Sequence, residues 1–161
     1  MEEEKYAHDE ASVTIAPKKS AWRKAINFLI YVLIFGGVVF GLPRALSSAL
    51  NTPYPMAAIT SGSMWPALKE GDLVLIQGVP KDEIRVGDIV VYRNGTGGGF
   101  TIHRVVRLEE ETLVTKGDAN FSEDAPVRYE SLVGKNLTFF GRPVRLPYLG
   151  SITMIATNLR N

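Results

Sequence analysis

The chain has 161 residues, with 18 Lys and Arg against 17 Asp and Glu, a net charge of +1, no cysteine and two histidines. The length suits one modest domain plus an appendage, and the near-neutral charge speaks against a dedicated nucleic-acid binder. Without cysteine there is no disulfide scaffold, Cys nucleophile or thiolate metal site. Two distant histidines, His8 and His103, are too little for a zinc centre, so neither metal nor cofactor is expected.

Residues 1–21 are polar and charged, without helical or strand period, and read as a mobile, disordered tail. Residues 22–46 follow as an apolar segment. The run Ile26–Leu42 carries no charge, and with Ala25 it reaches the lower end of the ~17–25 residues that span a bilayer. Three readings fit: a buried soluble helix, a cleaved signal peptide, and a retained transmembrane anchor. Buried helices of this length usually keep a charged face. Signal-peptide cores are usually shorter, about 7–15 residues, although Ser47 and Ala49 offer small residues at cleavage spacing. The anchor is therefore preferred. Lys18, Lys19, Arg23 and Lys24 precede the span and only Arg44 closely follows it. The positive-inside rule then puts the N-terminus in the cytoplasm and the rest of the chain outside.

Residues 47–145 have the texture of a β domain. Asp72–Gln77, Asp88–Arg93, Phe100–Leu108, Thr112–Thr115 and Leu137–Phe140 read as strands. Asn94-Gly95 and the glycines after it read as a hairpin connection. The expected fold is mostly β, a small barrel or a pair of packed sheets, behind one N-terminal transmembrane helix. Residues 146–161 are apolar but too short to span a bilayer. Two readings stay open for them: an interfacial helix using Leu149, Ile152, Met154, Ile155 and Leu159, or a terminal helix docked on the domain.

Candidate chemistry starts from the scarce residue. His103 lies in a strand, where a lone histidine is usually structural unless it has partners. Ser61-Gly62-Ser63 supplies two hydroxyls beside a glycine. Serine becomes a nucleophile once a base takes its proton, and a tight Gly-containing turn lets hydroxyls and amides converge on an oxyanion. The segment Thr115–Asp124 adds Asp118, Glu123 and Asp124, and a carboxylate beside an imidazole fixes its tautomer. Each feature alone also reads as an ordinary turn or solvated loop.

The order Ser61-Gly-Ser-Met-Trp-Pro66, Gly71-Asp72, Gly87-Asp-Ile-Val-Val91, Ile102-His-Arg-Val-Val106 and Thr115-Lys-Gly-Asp-Ala-Asn120 with Asp124 resembles the type I signal peptidases. Histidine at 103 matches the archaeal and endoplasmic-reticulum branch, where bacterial housekeeping members carry lysine. The resemblance implies Ser63 as nucleophile, His103 as general base, and Asp124 as the acid that orients it. Asp118 supports the site or shares that role. It also implies an oxyanion hole from Ser61 and the Ser63 N–H. Gly87 and Asp88 match a family motif but read as a turn and a strand start.

The reaction so implied is removal of signal peptides from exported preproteins, after small residues at −1 and −3. The bilayer and other membrane subunits would be partners, in the cell membrane or the endoplasmic reticulum membrane. A substrate strand would add to the edge Met56–Thr60, with Ala57 and Ile59 lining its pockets. Two alternatives remain at this point: a Ser–Lys peptidase using Lys116, and an inactive membrane-anchored module of the same fold. Asn94, Asn120 and Asn136 head glycosylation sequons.

Overall fold

The computed structural model describes residues 21–95 and 98–152. Residues 1–20 of the expected tail, the connection at 96–97 and the apolar positions beyond 152 lie outside the described residues. The chain divides into two compact units, Met1–Val39 and Phe40–Asn161.

Helix α1, Ala21–Gly36, runs through a five-residue π-helical turn, Gly37–Gly41, into α2, Leu42–Ala49. The widened turn falls where Gly36, Gly37 and Gly41 meet Pro43, whose missing N–H breaks the ladder of i→i−4 bonds. Together Ala21–Ala49 is 29 residues, with mean hydropathy 2.3 over its most apolar stretch, and that stretch is unburied. It is long and apolar enough to cross a membrane. Its rings and aliphatic chains, among them Phe28, Leu33 and Phe35, are exposed among the described residues.

The second unit is built on antiparallel strands: β1 Met56–Ala58, β2 Leu73–Gln77, β3 Ile89–Arg93, β4 Phe100–Leu108, β5 Thr112–Lys116, β6 Val127–Arg128, β7 Leu132–Asn136, β8 Thr138–Phe139, β9 Arg142–Pro143 and β10 Arg145–Leu146. The main sheet runs β1-β2-β7-β3-β4-β5-β6, with β10 also paired to β2, while β8 and β9 form a separate hairpin. The mostly β expectation holds.

Strand β3 explains the core. Its Ile-Val-Val-Tyr run is buried throughout, as suits a strand flanked by β4 and β7. Alternate residues feed two clusters. Ile89 joins Ile59, Met64, Leu68 and Val74, whereas Val90 and Tyr92 join Ile84, Val105 and Leu113. Each fully buried aliphatic side chain contributes roughly 1.5–3 kcal/mol.

Strand β7 was not among the expected strands. Leu-Val-Gly-Lys-Asn carries no alternation, and its Gly134 is needed because a Cβ there would strike the backbone of Gln77 on β2. The expected strand Leu137–Phe140 becomes the short arm β8 and its turn. Phe140 and Gly141 both have positive φ, 49° and 73°, and close a two-residue hairpin.

The Gly87-Asp88 turn is structural, as expected, and the Gly71-Asp72 turn is built the same way. Gly87 has φ +98°, and the Asp88 carboxylate accepts from the Arg85 N–H and the Lys135 Nζ. Gly71 has φ +86°, and buried Asp72 accepts from the Lys69 N–H and from Arg145 Nη1 at 2.9 Å. That pair ties the turn before β2 to β10. Residues 149–152 are helical, and Gly150 sits so close to the Asp72 carbonyl that a Cβ would collide with it.

Candidate active site

Strand register decides which side chains meet. His103 on β4 lies opposite Val90 on β3, Tyr92 lies opposite Thr101, and Thr115 on β5 lies opposite Val105. Side chains alternate along a strand, so Tyr92, His103 and Thr115 share one face. Arg104, next in sequence to His103, lies opposite Ile89 and Lys116 and points to the other face. The β4–β5 pair carries a bulge between Val105 and Arg107.

The Ser61–Ser63 loop is held by its own backbone and by the core. The Trp65 N–H donates to the Gly62 carbonyl at 3.0 Å, and the Leu68 N–H to the Met64 carbonyl at 2.9 Å. Met64 and Leu68 are buried in the first cluster, which fixes Ser63 at the rim. Gly62 does not have a left-handed φ, and a Cβ there would meet nothing within 4 Å. The turn therefore comes from the 62–65 hydrogen bond, and glycine leaves open space above the loop.

Ser63 Oγ lies 3.2 Å from His103 Nε2, and His103 Nδ1 lies 2.6 Å from Asp124 Oδ2. With the proton on Nδ1, the ring donates to Asp124 and accepts from Ser63. His103 is buried, its side chain 11 % exposed, so water competes little for either contact. Asp124 is anchored by its own N–H, which donates to the Thr115 carbonyl at 2.8 Å. Its Oδ2 also accepts from the Thr115 hydroxyl at 2.6 Å and the Tyr92 phenol at 3.3 Å. Burial, and then the negative charge of Asp124, push the Tyr92 phenol above its ordinary range, so it stays a donor. Tyr92 and Thr115 were not singled out from the sequence. The period-2 register that puts them beside His103 is the signal that finds them.

Asp118 sits elsewhere. Its two carboxylate oxygens accept from Arg104 Nε at 2.7 Å and Nη2 at 2.6 Å, and Arg104 Nη1 donates to the Gly87 carbonyl at 2.8 Å. The carboxylate drives the Arg104 guanidinium further above its already high range. This fork pins the loop after β5 to the sheet. From that loop the Ala119 N–H donates to the Ser63 carbonyl at 2.8 Å. Asp118 thus bears on Ser63 through backbone, and His103 meets Asp124 instead. Lys116 closes β5 opposite Arg104. Among the described residues, the side-chain partners of the Ser63 hydroxyl are His103 and Ser61. Ser61 Oγ lies 3.2 Å from Ser63 Oγ, within reach of an oxyanion formed there.

A groove of about 590 Å³ opens beside the serine, lined by Met56–Ser61, Ser63, Met64, Phe100–His103 and Asn120. Both its walls are strand flanks. β1 pairs only with β2, and β4 pairs with β5 only from Arg104 onward. Among the described residues, the outer flank of β1 and the Phe100–His103 flank of β4 are therefore open. Ala57 and Ile59 line the groove, and Ile59 is itself in the first core cluster with Ala57 packed on it. They form floor rather than wall. No group of His, Asp and Glu side chains able to hold a metal ion occurs among the described residues.

The Peptidase S24-like family matches residues 42–132. The chain is 31 % identical over 147 residues to the signal peptidase complex catalytic subunit SEC11 of Metarhizium acridum, covering 83 % of this chain and 81 % of that protein. It is 32 % identical over 146 residues to the same subunit of Pyrenophora teres f. teres, covering 81 % and 79 %. For the subunit of Lodderomyces elongisporus the identity is 33 % over 128 residues, covering 72 % and 74 %. The family match spans the serine, the histidine and the groove just described, and the chain belongs to the Peptidase S24-like serine peptidases, on the branch of the signal peptidase catalytic subunits.

Proposed function

We propose that the chain is a membrane-anchored signal peptidase that removes signal peptides from preproteins after small residues at −1 and −3. Ser63 is the nucleophile, His103 the general base and Asp124 the acid. The observation that carries the reading is the unbroken line Ser63–His103–Asp124, at 3.2 and 2.6 Å, opening onto a groove with two strand flanks unpaired among the described residues.

An extended substrate enters as a strand between β1 and the open flank of β4. His103 Nε2 takes the Ser63 proton as the hydroxyl attacks the scissile carbonyl. The oxyanion is received by the Ser61 hydroxyl and the Ser63 N–H. Asp124 holds the ring and stabilises the imidazolium. That imidazolium then protonates the leaving amine, and water, deprotonated by the same ring, releases the acyl group. Ala57 and Ile59 shape the floor under the substrate side chains. Asp118 acts as a brace through Arg104, and Lys116 is not needed as base.

The helix Ala21–Ala49 anchors the enzyme with its N-terminus in the cytoplasm and its β domain on the far side. Confinement to the bilayer raises the effective concentration of a membrane-inserted preprotein. The fungal relatives are named as subunits of a signal peptidase complex. By that likeness this chain works in a secretory membrane beside other membrane subunits.

The test is cleavage of a preprotein with Ala at −1 and −3 by the full chain in detergent. Ser63→Ala and His103→Ala should each abolish cleavage while circular dichroism still reports a folded β domain, and Lys116→Ala should retain it. Cleavage surviving in Ser63→Ala would sink the mechanism. Activity lost in Lys116→Ala but kept in His103→Ala would move the base to lysine.

A further inference from the structure

Three donors converge on a single oxygen of Asp124. Oδ2 receives His103 Nδ1 at 2.6 Å, the Thr115 hydroxyl at 2.6 Å and the Tyr92 phenol at 3.3 Å. The Ser–His–acid scheme uses only the first of these. We infer that Thr115, assisted by Tyr92, is a positioning residue for the reaction: the two hydroxyls hold the Asp124 carboxylate, as an anion, against the His103 ring. This inference rests on reading Asp124 as the acid of the site.

Thr115 is fully buried, at 0 % exposure, so water does not readily replace its hydroxyl. It also grips Asp124 at both ends, because its carbonyl accepts the Asp124 N–H at 2.8 Å while its hydroxyl donates to the side chain. The two contacts close the loop that carries Gly117, Asp118 and Asn120. The Tyr92 oxygen lies 3.3 Å from both Asp124 Oδ2 and Thr115 Oγ1. The Tyr92 proton goes to the carboxylate, and a hydrogen-bonded network strengthens each of its members.

Other charges near the acid are engaged elsewhere. Glu123, next to it, is paired with Arg107. Arg93 and Arg128 line the adjoining cleft, where Arg93 stacks over Tyr54 and Arg128 pairs with Glu130. Beside the ring, the two hydroxyls are therefore the groups placed to fix this carboxylate.

A hydrogen bond to a charged group is strong enough that losing it slows a step depending on it by roughly 10–100-fold. Imidazolium forms after substrate is bound, so the loss falls on kcat and leaves KM near its parent value.

The experiment compares Thr115→Val, which removes the hydroxyl at nearly constant volume, with Thr115→Ser, which keeps it, and with Tyr92→Phe. In the full chain in detergent, Thr115→Val should lower kcat roughly 10–100-fold with KM unchanged. Thr115→Ser should restore turnover, and Tyr92→Phe should lower kcat by less. A second readout needs no turnover. In a Ser63→Ala, His8→Gln background His103 is the sole histidine, and its hydrogen-bonded Nδ1 proton gives one far-downfield NMR signal. That signal should move upfield or broaden in Thr115→Val and persist in Thr115→Ser. If the parent cleaves no peptide, the proposed function fails while the NMR comparison still decides the role of Thr115. If Thr115→Val does not fold, Tyr92→Phe carries the test through the same signal. Parent kcat and an unmoved signal in the folded variants would overturn the inference. So would a Thr115→Ser variant as impaired as Thr115→Val, because packing alone would then explain the residue.

Discussion

Gly117→Ala tests how the loop after β5 supports the nucleophile. A Cβ on Gly117 would sit 2.8 Å from the Ser63 carbonyl oxygen and 2.7 Å from Asn120 Nδ2. The amide is the end of a side chain and can rotate away, but the carbonyl is backbone of the nucleophile itself. Ordinary carbon contact begins near 3.5 Å, so the two segments must separate by about 0.7 Å. That separation also stretches the 2.8 Å bond from the Ala119 N–H to the same carbonyl. A misplacement of about 1 Å at a reacting group costs roughly 100-fold, so a shift of this size should lower kcat by about 10–100-fold. Stability should fall by only about 1 kcal/mol, the worth of one weakened backbone hydrogen bond. The assay is kcat and KM on a peptide with Ala at −1 and −3, alongside urea unfolding. Gly99→Ala is the control, since its nearest neighbour would be the Asn94 side chain at 3.9 Å and its φ is not left-handed. Parent kcat in a folded Gly117→Ala would refute the argument that this contact sets the position of Ser63.

The two aspartates should separate cleanly. Asp124→Asn should lower kcat by about 10⁴-fold through loss of the ring's anionic partner, whereas Asp118→Asn should cost less than about 10-fold, together with about 1 kcal/mol from a half-exposed ion pair. Equal losses in the two variants would contradict the geometry. Leu68→Ala removes a fully buried side chain beneath the nucleophile loop and should destabilise by about 2–5 kcal/mol in chemical denaturation. Raised in the fold, the Tyr92 phenol keeps its proton longer than in the unfolded chain. Its stabilising contribution is complete below the unfolded value near 10 and is lost as pH rises through the folded value. The urea midpoint should therefore fall more steeply above pH ~10 in the parent than in Tyr92→Phe, and parallel curves would speak against it. In a glycosylating host, mass spectrometry should find no glycan on Asn136, which is 1 % exposed and donates to the Leu75 and Val144 carbonyls. A glycan found there would mean that the segment folds differently.

Legibility followed local physics. Strands β2 to β5 were readable to within a residue, because their alternating or continuous β-branched runs carry their own signal. Strands β6 and β10 are two residues long and exist only because β5 and β2 pair with them, so no local pattern marks them. β7 was hidden by Gly134, a glycine that reads as a turn and is there to let two backbones approach. The serine, the histidine and a nearby acid were legible from residue type and order, but choosing between two aspartates six residues apart was not. That choice follows from strand alternation. His103 and Arg104 are consecutive and must point to opposite faces, so each face offers one basic partner. The loop leaving β5 from beside Arg104 delivers Asp118 to the arginine first. It then turns back so that the Asp124 N–H meets the Thr115 carbonyl, on the face of the histidine. The buried hydroxyls of Thr115 and Tyr92 wait on that face alone. An aspartate at 124 thus finds donors from three strands, β3, β4 and β5, whereas one at 118 finds a guanidinium from a single strand. The arrangement gives the two carboxylates different partners before any substrate is present.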